Sequence, residues 1–140
     1  MTDPAIPRAK ETPTTAPFWE GLRNHRVMLV NCTTCGRWYW PFSGCIDHDN
    51  EPYMRNMQWQ EASGRGTLFV HNVHVQQFNP VFVVPYAYGV VELEEGPMYP
   101  AQILPADGRD VWSLKVGDPV QAQFVDVDQD YTFLRFIASS

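Results

Sequence analysis

Lysine is scarce in this sequence, and positively charged residues are outnumbered. Among the 140 residues, 10 are Lys or Arg and 16 are Asp or Glu, which gives a formal net charge of -6. The lysines are Lys10 and Lys115. Because nonspecific nucleic-acid binding depends on clustered cations that displace phosphate counterions, this composition argues against a nucleic-acid ligand.

Long hydrophobic runs are missing as well. No segment approaches the roughly 20 apolar residues that a membrane-spanning helix needs. Residues 1–17 contain four prolines and no apolar segment of signal-peptide length, which predicts a flexible tail. We therefore expect a soluble, cytoplasmic protein without a membrane partner.

Cysteine is rare, and its spacing is informative. Three cysteines close together are a poor basis for a disulfide framework. Cys32 and Cys35 form a Cys-x2-Cys pair, and after nine intervening residues Cys45 and His48 form a Cys-x2-His pair. Two such loops can hold Zn(II) tetrahedrally, so we predict a metal site with these four ligands. His48 is the candidate that completes the three thiolates, and Asp47 or a water molecule is the weaker substitute.

Other interpretations of the cysteines compete with a structural zinc site. A redox Cys-x2-Cys pair usually lies in a βαβ context, which the sequence does not predict, and buried core cysteines need no paired spacing. Iron can use the same ligands as zinc. A complete set of four protein ligands leaves no open coordination position, so such a metal would stabilise structure and would not activate water.

The segment that follows the tail predicts a short helix. In "PFWEGLRNHRV", Pro17 suits the first helical turn, and Leu22 falls on the same side as Phe18 and Trp19. A helix of this length is unstable alone, so it must dock on its own barrel or on another chain. The segments "VMLVN" and "RWYWPF" then predict two strands on either side of the Cys-x2-Cys pair.

From Met57 onward the pattern is that of β-structure. Short runs that alternate apolar and polar residues are bounded by Gly, Pro or Asp clusters, and "SGRG" predicts a hairpin turn between two of them. Five or six strands in about 80 residues indicate a small barrel, and the five-stranded OB type fits this number. A small SH3-like barrel or a sandwich has a similar pattern.

No convincing catalytic set is present in the sequence. It has no GxSxG motif and no phosphate-binding P-loop, and "SGRGT" lacks the following helix that a dinucleotide loop requires. The three thiols are assigned to metal. We therefore expect no catalytic residues in this chain.

Five segments, taken in order, carry a resemblance to a known family. They are "FWEGLRNHRVMLVNC", "CTTCGRWYWP", "SGRGTLFVHNVHV", "PYAYGVVELEEGP" and "LKVGDPVQAQF". Together they resemble the acyl-CoA-associated proteins that join a rubredoxin-like zinc ribbon to an OB-fold, long known as a domain of unknown function. The resemblance implies a mainly β fold, with a flexible tail at 1–17, an N-terminal helix and zinc ribbon at 18–56, and a five-stranded OB-fold barrel at 57–140.

The same resemblance implies a function. Members of this family assemble with thiolase-superfamily proteins, so the chain resembles an accessory, non-catalytic subunit of a thiolase, acyltransferase or retro-aldolase in lipid or steroid metabolism. It would stabilise a thiolase-like catalytic partner in a hetero-oligomer and help to form an acyl-CoA site at or near the interface. The family's structural zinc positions fall on Cys32, Cys35 and Cys45, and this sequence has His48 where a fourth cysteine is usual.

Two sets of residues are candidates for these contacts. For the partner, or else for internal packing between ribbon and barrel, the candidates are Phe18, Trp19, Trp38, Tyr39 and Trp40. For the coenzyme A phosphates they are Arg23, Arg26, Arg37, Arg65 and Arg135, among which the spacing does not select. The alternative function is an OB-fold single-stranded nucleic-acid-binding protein with a structural zinc ribbon, which would use the aromatics for stacking.

Overall fold

The first element of the fold is a short amphipathic helix, α1 (Ala16–Arg23). The computed structural model describes residues 10–48 and 55–139, so the first nine residues of the predicted flexible tail lie outside the described residues. Phe18 and Leu22 share one side of α1, as predicted, and both are buried. No helix in the described part of the chain is long and apolar enough to cross a membrane.

Helix α1 ends in a Schellman motif. The Arg26 N–H donates to the Gly21 carbonyl at 2.8 Å, and the His25 N–H donates to the Leu22 carbonyl at 2.9 Å. In this motif the first residue after the helix cap adopts a positive φ and is therefore usually glycine. Here it is His25, with φ 58°. This turn directs the chain from α1 into the first strand.

A three-stranded antiparallel sheet, which we call the ribbon sheet, follows the helix. Its strands are β1 (Met28–Cys32), β2 (Trp38–Tyr39) and β3 (Met57–Glu61), in the order β2-β1-β3. The predicted pair of strands around Cys-x2-Cys is confirmed, since Asn31 pairs with Trp38.

The rest of the chain forms a closed five-stranded barrel of the OB type, as expected. Its strands are β4 (Arg65–His74), β5 (Tyr86–Leu93), β6 (Met98–Leu104), β7 (Pro119–Asp126) and β8 (Thr132–Ala138). Their order is β4-β5-β6-β8-β7, and β7 pairs back onto β4. All pairs are antiparallel except β6 with β8. The alternating sequence pattern matches alternating burial along β5, β6 and β8.

The connection between ribbon sheet and barrel differs from the expectation. We predicted a hairpin turn at residues 63–66, but β3 pairs with β1 while β4 pairs with β5 and β7. The turn therefore joins two sheets, with Gly64 at φ 78°. A boundary after residue 56 stays a prediction, and the strand pairing favours a division between residues 61 and 65.

One hydrophobic core extends through both sheets. Phe18 and Leu22 of α1 pack in the same cluster as Leu29 of the ribbon sheet and Phe136 of the barrel. Tyr99 of β6 joins this cluster and lies edge-on to Trp40, with ring centroids 4.6 Å apart. The helix that is too short to stand alone is thus stabilised by packing between the ribbon sheet and the barrel.

Candidate functional site

The structure brings the four predicted metal ligands together. The Sγ atoms of Cys32, Cys35 and Cys45 and a ring nitrogen of His48 all lie within 4.8 Å of one another. Cys35 Sγ is 3.6 Å from Cys45 Sγ, and His48 Nδ1 is 3.6 Å from Cys45 Sγ and 3.9 Å from Cys32 Sγ.

The three distances of 3.6 to 3.9 Å are close to the edges of a tetrahedral zinc site, and the four ligand atoms together span up to 4.8 Å. Zinc–sulfur bonds of about 2.3 Å and zinc–nitrogen bonds of about 2.0 Å imply about 3.8 Å between two sulfurs and about 3.5 Å between sulfur and nitrogen. Three thiols and one imidazole are also chemically suited to Zn(II), and a soft thiolate set disfavours Mg(II) or Ca(II). The residues therefore fit a metal ion.

The backbone of the Cys-x2-Cys loop folds back on itself. Gly36 adopts φ 80°, and its N–H donates to the Cys32 carbonyl at 2.8 Å. The Asn31 side chain closes the loop from the other side, because its Nδ2 donates to the Gly36 carbonyl at 2.8 Å. These bonds fix the spacing between the first two sulfurs.

Two polar side chains that the sequence did not assign to the metal site contact the thiols: Asn56, and Tyr39, which was a candidate for the partner contact. The Tyr39 hydroxyl donates to Cys45 Sγ at 3.3 Å and accepts from the Ile46 N–H at 2.9 Å. Asn56 Nδ2 lies 3.7 Å from Cys32 Sγ and also donates to the His48 carbonyl. Side chains that hydrogen-bond to metal ligands in this way hold the ligands in their orientation. Spacing alone reveals neither of them.

Hydrogen bonds shift two of the three thiols, Cys32 and Cys45, toward the thiolate form that a metal requires. For Cys35 the Arg37 backbone acts to lower the pKa, but burial and the neighbouring sulfurs of Cys45 and Cys32 bring it above its usual value. The Tyr39 hydroxyl is the largest influence that lowers the pKa of Cys45 to about 6, with further hydrogen bonds from the Asp47 backbone and His48. Burial acts to raise the pKa of Cys32, but the backbone N–H groups of Cys35 and Thr34 bring it below the usual value. The adjacent Cys45 sulfur raises the pKa of His48.

The candidate partner aromatics are mostly internal. Phe18 is only 4% exposed, and its ring packs against Trp19, Trp40 and Tyr99. The prediction that Phe18 contacts a partner is therefore wrong. The alternative prediction, that it packs between ribbon and barrel, is confirmed. Trp19, Trp38 and Trp40 are partly buried against the same core.

A groove of about 530 Å³ crosses the outside of the barrel. Its walls include Trp19 of α1, Phe82 of the β4–β5 loop, Tyr88 of β5, and Phe133 and Arg135 of β8. Neither lysine lies in its lining. A groove with one arginine among aromatic and apolar groups does not suit a nucleic-acid backbone, which requires several cations.

The arginine candidates separate into two kinds. Four of them are paired with carboxylates, as Arg23–Glu11 at 3.3 Å, Arg26–Glu61 at 3.8 Å, Arg37–Asp47 at 3.7 Å and Arg65–Glu94 at 2.9 Å. In the described ranges Arg135 has no ion-pair partner, and its Nε donates to the neutral Gln123 side chain at 2.5 Å. Of the five candidates, Arg135 is therefore the one without a carboxylate partner among the described residues.

Comparisons with known proteins agree with this architecture. Residues 59–125 match the family model described as ChsH2, C-terminal OB-fold domain. A DUF35 domain-containing scaffold protein of Methanocaldococcus jannaschii is 27% identical over 116 residues, which are 80% of this chain and 77% of the relative. The family resemblance is confirmed. The DUF35 match spans both the ribbon sheet and the barrel.

A second DUF35-type similarity comes from a solved structure. A chain described as Ltp2-ChsH2(DUF35) aldolase superposes with a TM-score of 0.80 at 22% identity, covering 95% of this chain and 100% of the other. At this identity the likeness establishes the fold.

A longer relative matches as well. The 3-oxo-4,17-pregnadiene-20-carboxyl-CoA hydratase alpha subunit of Mycobacterium tuberculosis is 30% identical over 131 residues, or 87% of this chain. The chain spans 37% of the length of that relative.

Proposed function

We propose that this chain is an accessory, non-catalytic subunit of a thiolase-superfamily acyl-CoA enzyme, such as a thiolase, acyltransferase or retro-aldolase. The observation that carries the proposal is the match of 80% of this chain or more to proteins named as a scaffold or as a subunit of a CoA-thioester enzyme. The catalytic partner would hold the nucleophile, and an acyl-CoA would bind at or near the interface. The free thiols suit a reducing, cytoplasmic location.

The arrangement of the thiols supports a non-catalytic role. Cysteine is the strongest nucleophile in the chain, yet Cys32 and Cys45 are fully buried. Their sulfurs lie in one cluster with His48. A thiolate that is held by a structural metal does not attack a thioester.

The β4–β5 loop is the best candidate for the partner contact. Within it Phe78 is 81% exposed, Val83 77% and Val75 65%. Large apolar side chains exposed together mark protein interaction surfaces. A partner that covers this loop would remove them from water, which favours association.

Capture of the partner tests this proposal. The tagged full chain, expressed in its native host, should copurify with a thiolase-like protein that mass spectrometry identifies. Phe78→Ser should weaken binding of the partner tenfold or more, because truncation of an aromatic hot spot costs about 2 kcal/mol or more. Val116→Ser, which changes a similarly exposed residue (66%) in the β6–β7 segment, is the matched control. A chain that remains alone in its native host contradicts the proposal.

An enoyl-CoA hydratase is the second candidate partner. It is favoured by two relatives that are named hydratase alpha subunits, one of them a probable enoyl-CoA hydratase, of which this chain matches 37% and 36%. The same capture experiment separates the two, because the copurified chain is then a hydratase in place of a thiolase-like protein.

We further propose that Cys32, Cys35, Cys45 and His48 bind one structural Zn(II). The metal would hold the two loops together and would have no open position for a substrate. Native protein should contain about one zinc per chain by elemental analysis. Cys32→Ala should lose the zinc and the folded ribbon, whereas Thr34→Ala, in the same loop but outside the ligand set, should retain both. A folded native protein without metal contradicts this site.

A further inference from the structure

Cys35 is the thiol of the metal site that faces solvent. It is exposed, whereas Cys32 and Cys45 are buried. It lies in the turn between β1 and β2, where its neighbours Thr34 and Gly36 are exposed as well. Oxidation of cysteine depends on thiolate character and on access from solvent. Of the three thiols, Cys35 is therefore the one that a dissolved oxidant reaches.

Metal binding would leave the Cys35 sulfur able to react with such an oxidant. A cysteine must be deprotonated to bind zinc, and the thiolate is also the form that a peroxide oxidises. The reaction consumes the thiolate as a metal ligand, so it modifies the site and is not a catalytic turnover. It is thus compatible with the proposed non-catalytic role of the chain.

A second sulfur is in position to form a disulfide with Cys35. Cys45 Sγ lies 3.6 Å from Cys35 Sγ. The sulfurs of a disulfide are about 2.05 Å apart, so an approach of about 1.5 Å is needed to form the bond. Cys35 belongs to the Cys-x2-Cys loop and Cys45 to the Cys-x2-His loop. This bond would join the same two loops that the metal joins.

We propose that Cys35 is a modification site for hydroperoxides and that Cys45 resolves the oxidised sulfur, so that a disulfide replaces the metal between the two loops. With hydrogen peroxide, the Cys35 thiolate attacks one peroxide oxygen. The S–O bond forms as the O–O bond breaks, the sulfur is oxidised to a sulfenic acid by loss of two electrons, and hydroxide leaves.

In the second step the Cys45 thiolate attacks the Cys35 sulfur. The S–S bond forms, the S–O bond breaks, and a second hydroxide leaves. Cys32 and His48 then remain as metal ligands, and two protein ligands are too few for a closed zinc site. The inference rests on the proposed zinc site for the release of metal and not for the disulfide.

The position of the disulfide implies that the ribbon sheet stays folded after oxidation. The bond would close a short loop, because nine residues separate Cys35 from Cys45. A cross-link of this kind stabilises the fold by restricting the unfolded chain. The reduced chain without metal has neither cross-link, so it should lose the ribbon sheet while the oxidised chain without metal keeps it.

Peroxide treatment of the zinc-loaded full chain tests the inference. With a chromophoric chelator present, hydrogen peroxide should release about one zinc per chain, and peptide mapping should find Cys35 linked to Cys45. Dithiothreitol with added zinc should reverse both changes. Brief exposure in the presence of dimedone, which traps sulfenic acids, should label Cys35 in preference to Cys32 and Cys45. Near-ultraviolet circular dichroism compares the zinc-loaded, oxidised and chelator-treated reduced forms.

Two variants that lose the metal separate the disulfide from zinc binding. Peroxide should restore the ribbon sheet in Cys32→Ala, because Cys35 and Cys45 remain to join the two loops. It should not restore the ribbon sheet in Cys45→Ala, because the remaining thiols belong to one loop and cannot link it to the other. Equal behaviour of the two variants would contradict the inference.

Other outcomes overturn the inference as well. They are a Cys32–Cys35 linkage in the oxidised wild type, equal dimedone labelling of the three cysteines, and loss of the ribbon sheet in the oxidised chain. If the native protein holds no zinc, the proposed zinc site fails on its own, and peroxide treatment of the reduced chain still decides whether Cys35 and Cys45 pair. Capture of the catalytic partner from the native host is a separate measurement, so its failure is distinguishable from both.

Discussion

Tyr39 shows how a single residue supports the metal site without being a ligand. Its hydroxyl connects the Cys45 sulfur to the Ile46 backbone, so it fixes the second loop relative to the strand β2. The Cys-x2-Cys and Cys-x2-His spacing predicted which four side chains would meet. It did not predict Tyr39 or Asn56, because a tyrosine or asparagine becomes a thiolate partner only through the tertiary fold.

Tyr39→Phe should make zinc binding more sensitive to acid. The hydroxyl lowers the pKa of Cys45, so its removal raises that pKa and lets protons compete with the metal at a higher pH. Zinc release followed with a chromophoric chelator from pH 7 to pH 4 should have a higher midpoint in the variant. Tyr86→Phe in the barrel is the control. An unchanged midpoint for Tyr39→Phe would mean that the hydroxyl does not affect zinc binding.

Helix α1 is the element that joins the two sheets. The sequence predicted its existence and the shared side of Phe18 and Leu22, but left open whether that side packs on the barrel or on another chain. It did not predict that β3 pairs with the ribbon sheet, because an alternating pattern specifies a strand and its faces but not the neighbour to which it bonds. The same limit explains the wrong hairpin at residues 63–66.

Leu22→Ala should destabilise the whole protein by about 3 kcal/mol, because it leaves a cavity where α1 meets both sheets. Leu22 has no exposed surface. Urea denaturation of the metal-loaded chain measures the change. Glu20→Ala on the exposed side of the same helix should change the free energy of unfolding by less than about 0.5 kcal/mol. Similar effects of both substitutions would mean that α1 does not unite the core.

At the scale of the whole molecule, long-range contacts decide what each segment does. The His25 side chain lies 2.8 Å from a carboxylate oxygen of Asp126 and stacks on Phe124, so the turn after α1 is tied to β7. Arg135 illustrates the same dependence. The sequence could not select it among five arginines, since the others are distinguished by carboxylates that are distant in sequence, such as Glu94 for Arg65.

The Asp126 contact makes stability depend on pH. Hydrogen bonding from Thr132, and then from His25, holds the pKa of Asp126 below its ordinary value of 3.8. The carboxylate therefore contributes stability that is present above the unfolded pKa and is lost as the pH falls through the lower folded pKa.

Asp126→Asn should accordingly lower the free energy of unfolding more at pH 6 than at pH 3. Urea denaturation at both pH values measures the difference. Thr132→Val should show the same trend, whereas Thr132→Ser keeps the hydroxyl and should retain the wild-type dependence. If Asp126→Asn lowers the free energy of unfolding equally at both pH values, the Asp126 carboxylate is not the source of the pH dependence.

The positions of two tryptophans allow fluorescence to monitor the groove and the metal site. Trp19 lies in the wall of the groove, whereas Trp38 directly follows the first metal-binding loop, in β2. Indole emission responds to the polarity of its surroundings, so a ligand in the groove and removal of the metal would change different emitters. Trp19→Phe should remove the emission change that a ligand causes, and Trp38→Phe the change that metal removal causes. Comparison of the two variants with the wild type then follows each event in unlabelled protein, and any coupling between them becomes measurable as a free energy.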